Sequence, residues 1–135
     1  MSMEWQVSNL ELSKKLKELG VRQDRSLYYW HVDENGSFLD TSPVDQDLSK
    51  RIGGKENVSA FTVAELGIMQ KNIHSFVIDS LLSEESLLFL ESATEADARG
   101  FRLGVIIKNN ILSLDEINKR LEEIKCHHAK ILSQI

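Results

Sequence analysis

The stretch that decides the fold is residues 94–112, which read TEADARGFRLGVIIKNNIL. Its first residue predicts a helix start, because the Thr94 hydroxyl can accept the backbone N–H of Asp97 while the Asp97 carboxylate reaches back to the Thr94 amide. Glu95 and Asp97 also lie where the positive end of a helix dipole favours acids. Apolar residues then recur at near-helical spacing, at Ala98, Phe101, Val105, Ile106, Ile107 and Leu112. This pattern predicts a central helix on which a small sheet rests.

Two glycines, Gly100 and Gly104, lie four residues apart in this predicted helix. Each costs roughly 1 kcal/mol of helix propensity relative to alanine, so a compensating contact is expected. Close approach by a strand or another helix is favoured over contact with a phosphate group. We therefore expect another element to cross the helix at this point.

The residues immediately before this helix are apolar and acidic. Residues 75–79 (SFVID) and 87–91 (LLFLE) are predicted to be strands, since short apolar runs are typical of covered central strands. Residues 81–86 would alternatively be helical. From residue 79 to residue 97 the chain carries six acids and no base, which indicates a solvated edge in preference to a site for a basic partner. These acids are Asp79, Glu84, Glu85, Glu91, Glu95 and Asp97.

Residues 113–135 follow the central helix and have coiled-coil spacing. Apolar residues alternate at steps of three and four, with one polar exception, in a heptad seam. The seam is formed by Leu114, Ile117, Leu121, Ile124, His128, Ile131 and Ile135. Pairing with a second copy is favoured, and the alternative is that this helix lies across its own sheet. We predict a homodimer formed by a C-terminal helical extension of a single domain that spans residues 1–135.

The first half of the chain predicts a helix, a hairpin and a second helix. Ser8 or Asn9 would cap the first helix, which Gly20 ends. Residues 27–32 (LYYWHV) form the best predicted strand, and Asn35-Gly36 is the strongest two-residue hairpin signal. Alternation along this strand places Tyr28, Trp30 and Val32 on one face and Leu27, Tyr29 and His31 on the other. Residues 40–58 are predicted to be the least structured part, and the second helix begins at a Thr62–Glu65 capping box.

Composition limits the class of protein. The chain has 135 residues, 41% of them hydrophobic and 27% charged, as expected for one ordinary domain. A net charge of −5 argues against a general nucleic-acid binder, and no apolar run approaches the ~20 residues of a membrane span. The single cysteine, Cys126, excludes an internal disulfide, and the first fifteen residues have no signal-peptide pattern. These features predict a cytoplasmic protein with no membrane partner.

Three sequence blocks resemble a known family. They are LELSKKLKELGV at residues 10–21 with the YYW strand, SAFTVAELG at 59–67, and TEADARG at 94–100 with its apolar continuation. In this order they are similar to a family of small uncharacterised proteins of bacteriophages and prophages. The resemblance implies a phage- or prophage-associated protein of a bacterial host cell, and it brings no activity, cofactor or catalytic residue with it. Met69-Gln70-Lys71 replaces the Leu-Pro that often follows the second block, and the heptad seam lies outside the resemblance.

No motif indicates catalysis, a cofactor or a metal. Adjacent helical residues point about 100° apart, so Cys126, His127 and His128 do not share an ion easily. The run Gly53-Gly54-Lys55 lacks the rest of a phosphate loop. Trp30 and His31 have the chemistry to stack on nucleic-acid bases, but packing in the core and on the surface of the protein is the favoured interpretation. We therefore predict no catalytic, cofactor-binding or metal-ligating residues.

The sequence as a whole predicts an α+β fold. Its small, mostly antiparallel sheet of about four strands would be packed by about three helices, with a long C-terminal helix in addition. The predicted function is that of a non-enzymatic interaction module that forms a homodimer and engages a host or phage protein. The alternative is a nucleic-acid-associated accessory protein with a basic group near the aromatic strand. That group would contain Arg22, Arg25, Lys50, Arg51 and Lys55.

Overall fold

A computed structural model describes residues 6–33, 36–40, 56–132 and 134, and for residues 124–132 only the backbone is described. Within these ranges the chain forms six helices and three strands. In chain order they are α1 (Leu10–Glu18), β1 (Tyr28–Asp33), β2 (Gly36–Asp40), β3 (Glu56–Ala60), α2 (Val63–Met69), α3 (Ser75–Asp79), α4 (Glu84–Ser92), α5 (Glu95–Lys108) and α6 (Leu114–Leu132). The predicted α+β class is confirmed, with a sheet of three described strands in place of about four.

The sheet has the order β2-β1-β3, and both pairings are antiparallel. The predicted hairpin is confirmed, although Gly36 pairs with Asp33 and so belongs to the strand. Strand β3 begins inside residues 40–58, which the sequence predicted to be the least structured part, and for residues 56–58 that prediction was wrong. Residues 41–55 lie outside the described part of the chain. Glu56 and Asn57 have low strand propensity, but β3 pairs with the aromatic strand and buries Val58 beneath the sheet.

The strands predicted at residues 75–79 and 87–91 are helices α3 and α4, and this is the largest correction to the predicted fold. Each helix has a side-chain cap at its start. His74 Nδ1 accepts the backbone N–H of Phe76 at 3.1 Å, and Ser83 Oγ accepts that of Ser86 at 3.2 Å. A short apolar run does not by itself distinguish a strand from a helix. The capping residues His74 and Ser83 were the sequence signal that indicates helices here.

Helix α5 is the centre of the helical core, as predicted, but its buried face only partly matches the predicted one, with Ala98 and Ile106 in common. Its buried residues are Ala96, Ala98, Gly100, Leu103 and Ile106, whereas Phe101 is only partly buried. Helix α1 crosses this face, and a methyl group at Gly100 would lie 3.6 Å from Ser8 Cβ. The expected close approach is therefore made by a helix. Among the described residues, the sheet makes its main helical contact with α1, through β3, whereas the predicted layering placed it on α5.

The N-terminal caps of α2 and α5 differ in one respect. Thr62 and Glu65 form the complete capping box that the sequence predicts. At α5, Thr94 Oγ accepts the N–H of Asp97 at 3.1 Å, but Asp97 Oδ1 accepts the N–H of Asn9 at 2.8 Å instead of returning to Thr94. Asp97 therefore joins the starts of two helices.

The first half of α6 belongs to the core of its own domain. Ile117 and Leu121 are fully buried in the helical cluster, and Leu114 packs against that cluster. The Asn118 amide accepts the Arg22 N–H at 2.9 Å and donates to the Gly20 carbonyl at 3.1 Å. These contacts seat the described part of the helix on the domain.

The hairpin gives the first testable prediction. Gly36 has a φ of +134°, a conformation that L side chains rarely adopt whatever the space around them. We expect Gly36→Val to lower the free energy of unfolding by about 1–3 kcal/mol in a urea titration. Ser37→Val is the matched control, because Ser37 is exposed on the same strand and is expected to tolerate the change. Equal stability of the two variants would contradict the strained position of Gly36.

Candidate functional site

Six large apolar side chains are exposed on helices α3 and α4 and on the residues between them. They form what we call the α3–α4 face, which consists of Phe76, Val77, Leu81, Leu87, Leu88 and Phe89. The exposed fraction reaches 74% for Phe76 and 64% for Leu88. None of the nine residues of α4 is buried, so this helix contributes almost nothing to the core. Clusters of this kind on a protein surface mark interaction sites more often than chance exposure does.

Both helices of the face are attached to the same place on α5. Ile78 is the buried residue of α3, and Asp79 accepts two hydrogen bonds from the Arg102 guanidinium, at 3.0 and 3.1 Å. The ring of Phe89 on α4 lies 5.3 Å from that of Phe101, centroid to centroid. Phe101 and Arg102 are consecutive, so α3 and α4 contact neighbouring positions of the central helix. Helix α3 is attached by a buried residue and an ion pair, whereas α4 is attached through the Phe89 ring.

The charge around the face is negative. Glu84, Glu85 and Glu91 are exposed on α4, and none of them forms an ion pair with any residue in the part of the chain that the structure describes. The other three acids of residues 79–97 are engaged elsewhere. Asp79 pairs with Arg102, Glu95 with Arg99 at 2.8 Å, and Asp97 with the Asn9 amide. The free negative charge is thus concentrated on α4.

A polar pocket of about 370 Å³ lies between α2, α3 and α5, beside the α3–α4 face. Its charged lining includes Arg99 and Arg102, but each guanidinium is paired with a carboxylate. His74 also lines it, and its Nδ1 is occupied by the Phe76 amide. A second pocket of about 510 Å³ shares Arg99 and reaches Lys71 and Glu123. The balanced charges give neither pocket a defined preference for an anion.

Glu65 is a buried carboxylate, but its oxygens are already committed. Oε1 accepts the N–H of Thr62 at 2.9 Å and Oε2 accepts that of Leu27 at 3.0 Å. Burial raises the pKa of Glu65, because loss of water around the charge outweighs these hydrogen bonds. The residue joins the start of α2 to the strand region and is not free to act as a base or a metal ligand.

This pKa shift predicts a pH effect on stability. The folded state keeps the Glu65 proton to higher pH than the unfolded chain, so its contribution is complete below the ordinary pKa of 4.5 and is lost as the pH rises through the folded pKa. Glu65→Gln has one acceptor for two N–H groups, and we expect it to cost about 1–3 kcal/mol. The difference in free energy of unfolding between wild type and Glu65→Gln should become smaller from about pH 4 to pH 7 in urea titrations. A gap that widens would show that the folded pKa is lowered.

The residues that the sequence suggested for nucleic-acid, phosphate or metal binding do not form a site within the described part of the chain. Trp30 is buried and its indole N–H donates to the Ser8 carbonyl at 3.0 Å, which confirms packing inside the protein; His31 is buried as well. Arg22 is bonded to Asp24 and Glu122, at 2.9 and 2.7 Å. Lys50, Arg51, Lys55, the Gly53-Gly54 pair and the side chains of Cys126, His127 and His128 lie outside the described part of the chain. Among the described residues, no group of three metal-ligating side chains comes together.

The predicted assembly seam is divided. Leu114, Ile117 and Leu121 pack within their own domain. The side chains of Ile124, His128, Ile131 and Ile135 lie outside the described residues, so pairing through them stays a prediction.

Sequence reasoning missed the α3–α4 face. The apolar runs at residues 75–79 and 87–91 suggested covered strands, and the six acids suggested only a solvated edge. The sequence Ser83-Glu84-Glu85-Ser86 was the available indication, because a serine followed by acids is typical of a helix start. Given a helix there, four consecutive apolar residues cannot all face one core.

Comparison of the chain with protein-family models, with curated proteins and with solved structures finds no match in any of the three. The phage-family resemblance is thus neither supported nor opposed by them. Over the described residues, none of the helices combines the length and the apolar character needed to cross a membrane.

Proposed function

We propose that this protein is a protein-interaction module that binds a partner on the α3–α4 face. The observation that carries the proposal is the exposure of six large apolar side chains on two helices, and on the residues between them, where both helices contact α5. Burying a leucine or phenylalanine side chain is worth about 1.5–3 kcal/mol. A partner that covers a few of them gains enough free energy for specific binding.

We also propose, on the basis of the sequence, that the protein self-associates and that it comes from a phage or prophage. The heptad spacing from Ile124 to Ile135 supports a homodimer, and the resemblance of three blocks supports association with a phage or prophage and a partner from the virus or its bacterial host. Light scattering on the full chain and on a chain truncated after Glu123 tests the dimer. This truncation keeps Ile117 and Leu121 in the core. If both forms are monomeric at micromolar concentration, the dimer proposal fails and the docking proposal stands.

The docking proposal predicts that one exposed leucine controls binding. We expect Leu88→Ser to remove the partner that wild-type protein retains from a bacterial host extract, because the change deletes an anchor at the centre of α4. Leu27→Ser is the matched control. Leu27 is also an exposed leucine, at 47%, but it lies before β1 and outside the α3–α4 face. The measurement is quantitative affinity capture with the three proteins side by side.

The comparison between the two serine variants decides this prediction. Partner lost from Leu88→Ser and kept by Leu27→Ser is the expected result. Equal capture by all three proteins, or equal loss from both variants, would contradict a specific role for the face. Circular dichroism on each variant separates loss of binding from loss of folding.

The nucleic-acid alternative has no support among the described residues. Arg22 is bonded to two acids, and Arg25 lies 3.9 Å from Asp24. A titration against single- and double-stranded DNA at two salt concentrations tests it, because phosphate contacts weaken as salt rises.

A further inference from the structure

We infer that the partner of the α3–α4 face is a basic amphipathic helix, with apolar side chains on one side and lysine or arginine on its flanks. The inference rests on the proposed function and adds the chemistry of the partner to it. It comes from the arrangement of charge around the most exposed leucine of α4.

Leu88 has an acid on three sides. Helical spacing places Glu84 four residues before it, Glu85 three residues before it and Glu91 three residues after it, and residues at these distances are neighbours on a helix surface. All three carboxylates are exposed, and none is paired with a residue that the structure describes. The apolar anchor is therefore surrounded by negative charge, with no lysine or arginine between residues 72 and 98.

The three carboxylates around Leu88 favour some binding partners of this apolar surface over others. A second copy related by two-fold symmetry would bring the same three carboxylates close to their own images, which is unfavourable. An anionic lipid surface would be repelled in the same way. A partner with apolar side chains flanked by cations gains from both parts of the surface, because complementary charges favour encounter and fix orientation.

Two helices supply the apolar side chains that a helical partner would cover. Helix α3 exposes Phe76 and Val77, α4 exposes Leu87 and Leu88, and both helices contact α5. An amphipathic helix with apolar residues at i, i+3, i+4 and i+7 can place successive side chains against such a pair. The partner thus resembles the helices that commonly dock on apolar surfaces.

The test uses two synthetic helical peptides of about 16 residues, long enough to form helix on a surface. Both carry leucines at i, i+3, i+4 and i+7; one has lysine at the flanking positions and the other has glutamate. Fluorescence titration with the full chain measures affinity at roughly 0.05 M and 0.5 M salt, where charge screening differs strongly. We expect the lysine peptide to bind at low salt and to bind more weakly at high salt, and the glutamate peptide not to bind.

A charge-neutral variant isolates the carboxylates. The triple change Glu84→Gln, Glu85→Gln and Glu91→Gln keeps side-chain size and leaves the Ser83 cap in place. The triple variant is expected to bind the lysine peptide about tenfold more weakly than wild type at low salt. The control replaces three exposed acids away from the face, with the same change of net charge, and should stay within about twofold of wild type. Its changes are Glu11→Gln, Glu18→Gln and Asp115→Asn.

Each of the other experimental outcomes would overturn the inference or a defined part of it. If both peptides bind equally and Leu88→Ser removes both, the face is a docking surface but its partner is not selected by charge. If neither peptide binds while host-extract capture still depends on Leu88, this inference fails alone. If the triple variant and its control weaken binding equally, net charge and not the three carboxylates around Leu88 is responsible. Binding to anionic vesicles in place of the lysine peptide would assign the face to a lipid surface and overturn the inference.

Discussion

Leu103→Ala is expected to lower the free energy of unfolding by about 2–5 kcal/mol, because it leaves a cavity at the centre of the helical core. Leu103 is fully buried on α5, which contacts α1, α2 and α3. The cavity is not easily refilled from the same helix, since three of the other four buried positions of α5 are the small residues Ala96, Ala98 and Gly100. Urea titration of both proteins by circular dichroism measures the difference.

Phe101→Ala is the control for this prediction. The ring of Phe101 is only partly buried and contacts Phe89 on α4, so its removal is expected to cost less than that of Leu103 although more atoms are deleted. A larger loss from Phe101→Ala than from Leu103→Ala would show that the buried face of α5 is the one that sequence periodicity first suggested.

Leu121→Ala is expected to have an effect of similar size, about 2–5 kcal/mol, and the effect should not depend on protein concentration. Leu121 is fully buried beside Ile117 in the core of its own chain, and Arg120 donates to the carbonyls of Met69 and Lys71 at 3.1 and 2.8 Å. If the described half of α6 packed between chains instead, the difference in stability between wild type and Leu121→Ala would itself change on dilution.

Urea titrations at two protein concentrations, separated by about a hundredfold, give this result directly. Lys119→Ala, at an exposed position two residues before Leu121 on the same helix, is the neighbouring control. A loss that appears only at the higher concentration would assign Leu121 to an interface between chains.

The sequence predicted the elements whose signals are local. The Thr62–Glu65 box, the Gly20 stop, the aromatic hairpin and the start at Thr94 are each decided by a few neighbouring residues, and the structure has all of them. The sequence does not decide between alternatives where one pattern has two physical meanings. Steps of three and four residues in α6 are equally typical of a seam between chains and of packing on α2, and only the surrounding domain distinguishes them.

The candidate site could not be predicted for the same reason. An apolar run such as residues 87–90 is usually buried. The exposure of Leu87 and Leu88 depends on tertiary packing, because other elements occupy most of the surface of α5 and leave little of it to cover α4. Strand β3 was missed because its polar residues are held by pairing with β1 and not by their own propensity.

Hydrogen–deuterium exchange of the protein, alone and with the partner it retains from host extract, tests the central claim most directly. Helix α4 has no buried residue, so in the free protein its amides should exchange quickly through local opening. The account predicts that the partner slows exchange across residues 75–92 and leaves the strands unchanged. Slower exchange confined to the sheet or to α6, with residues 75–92 unaffected, would contradict it.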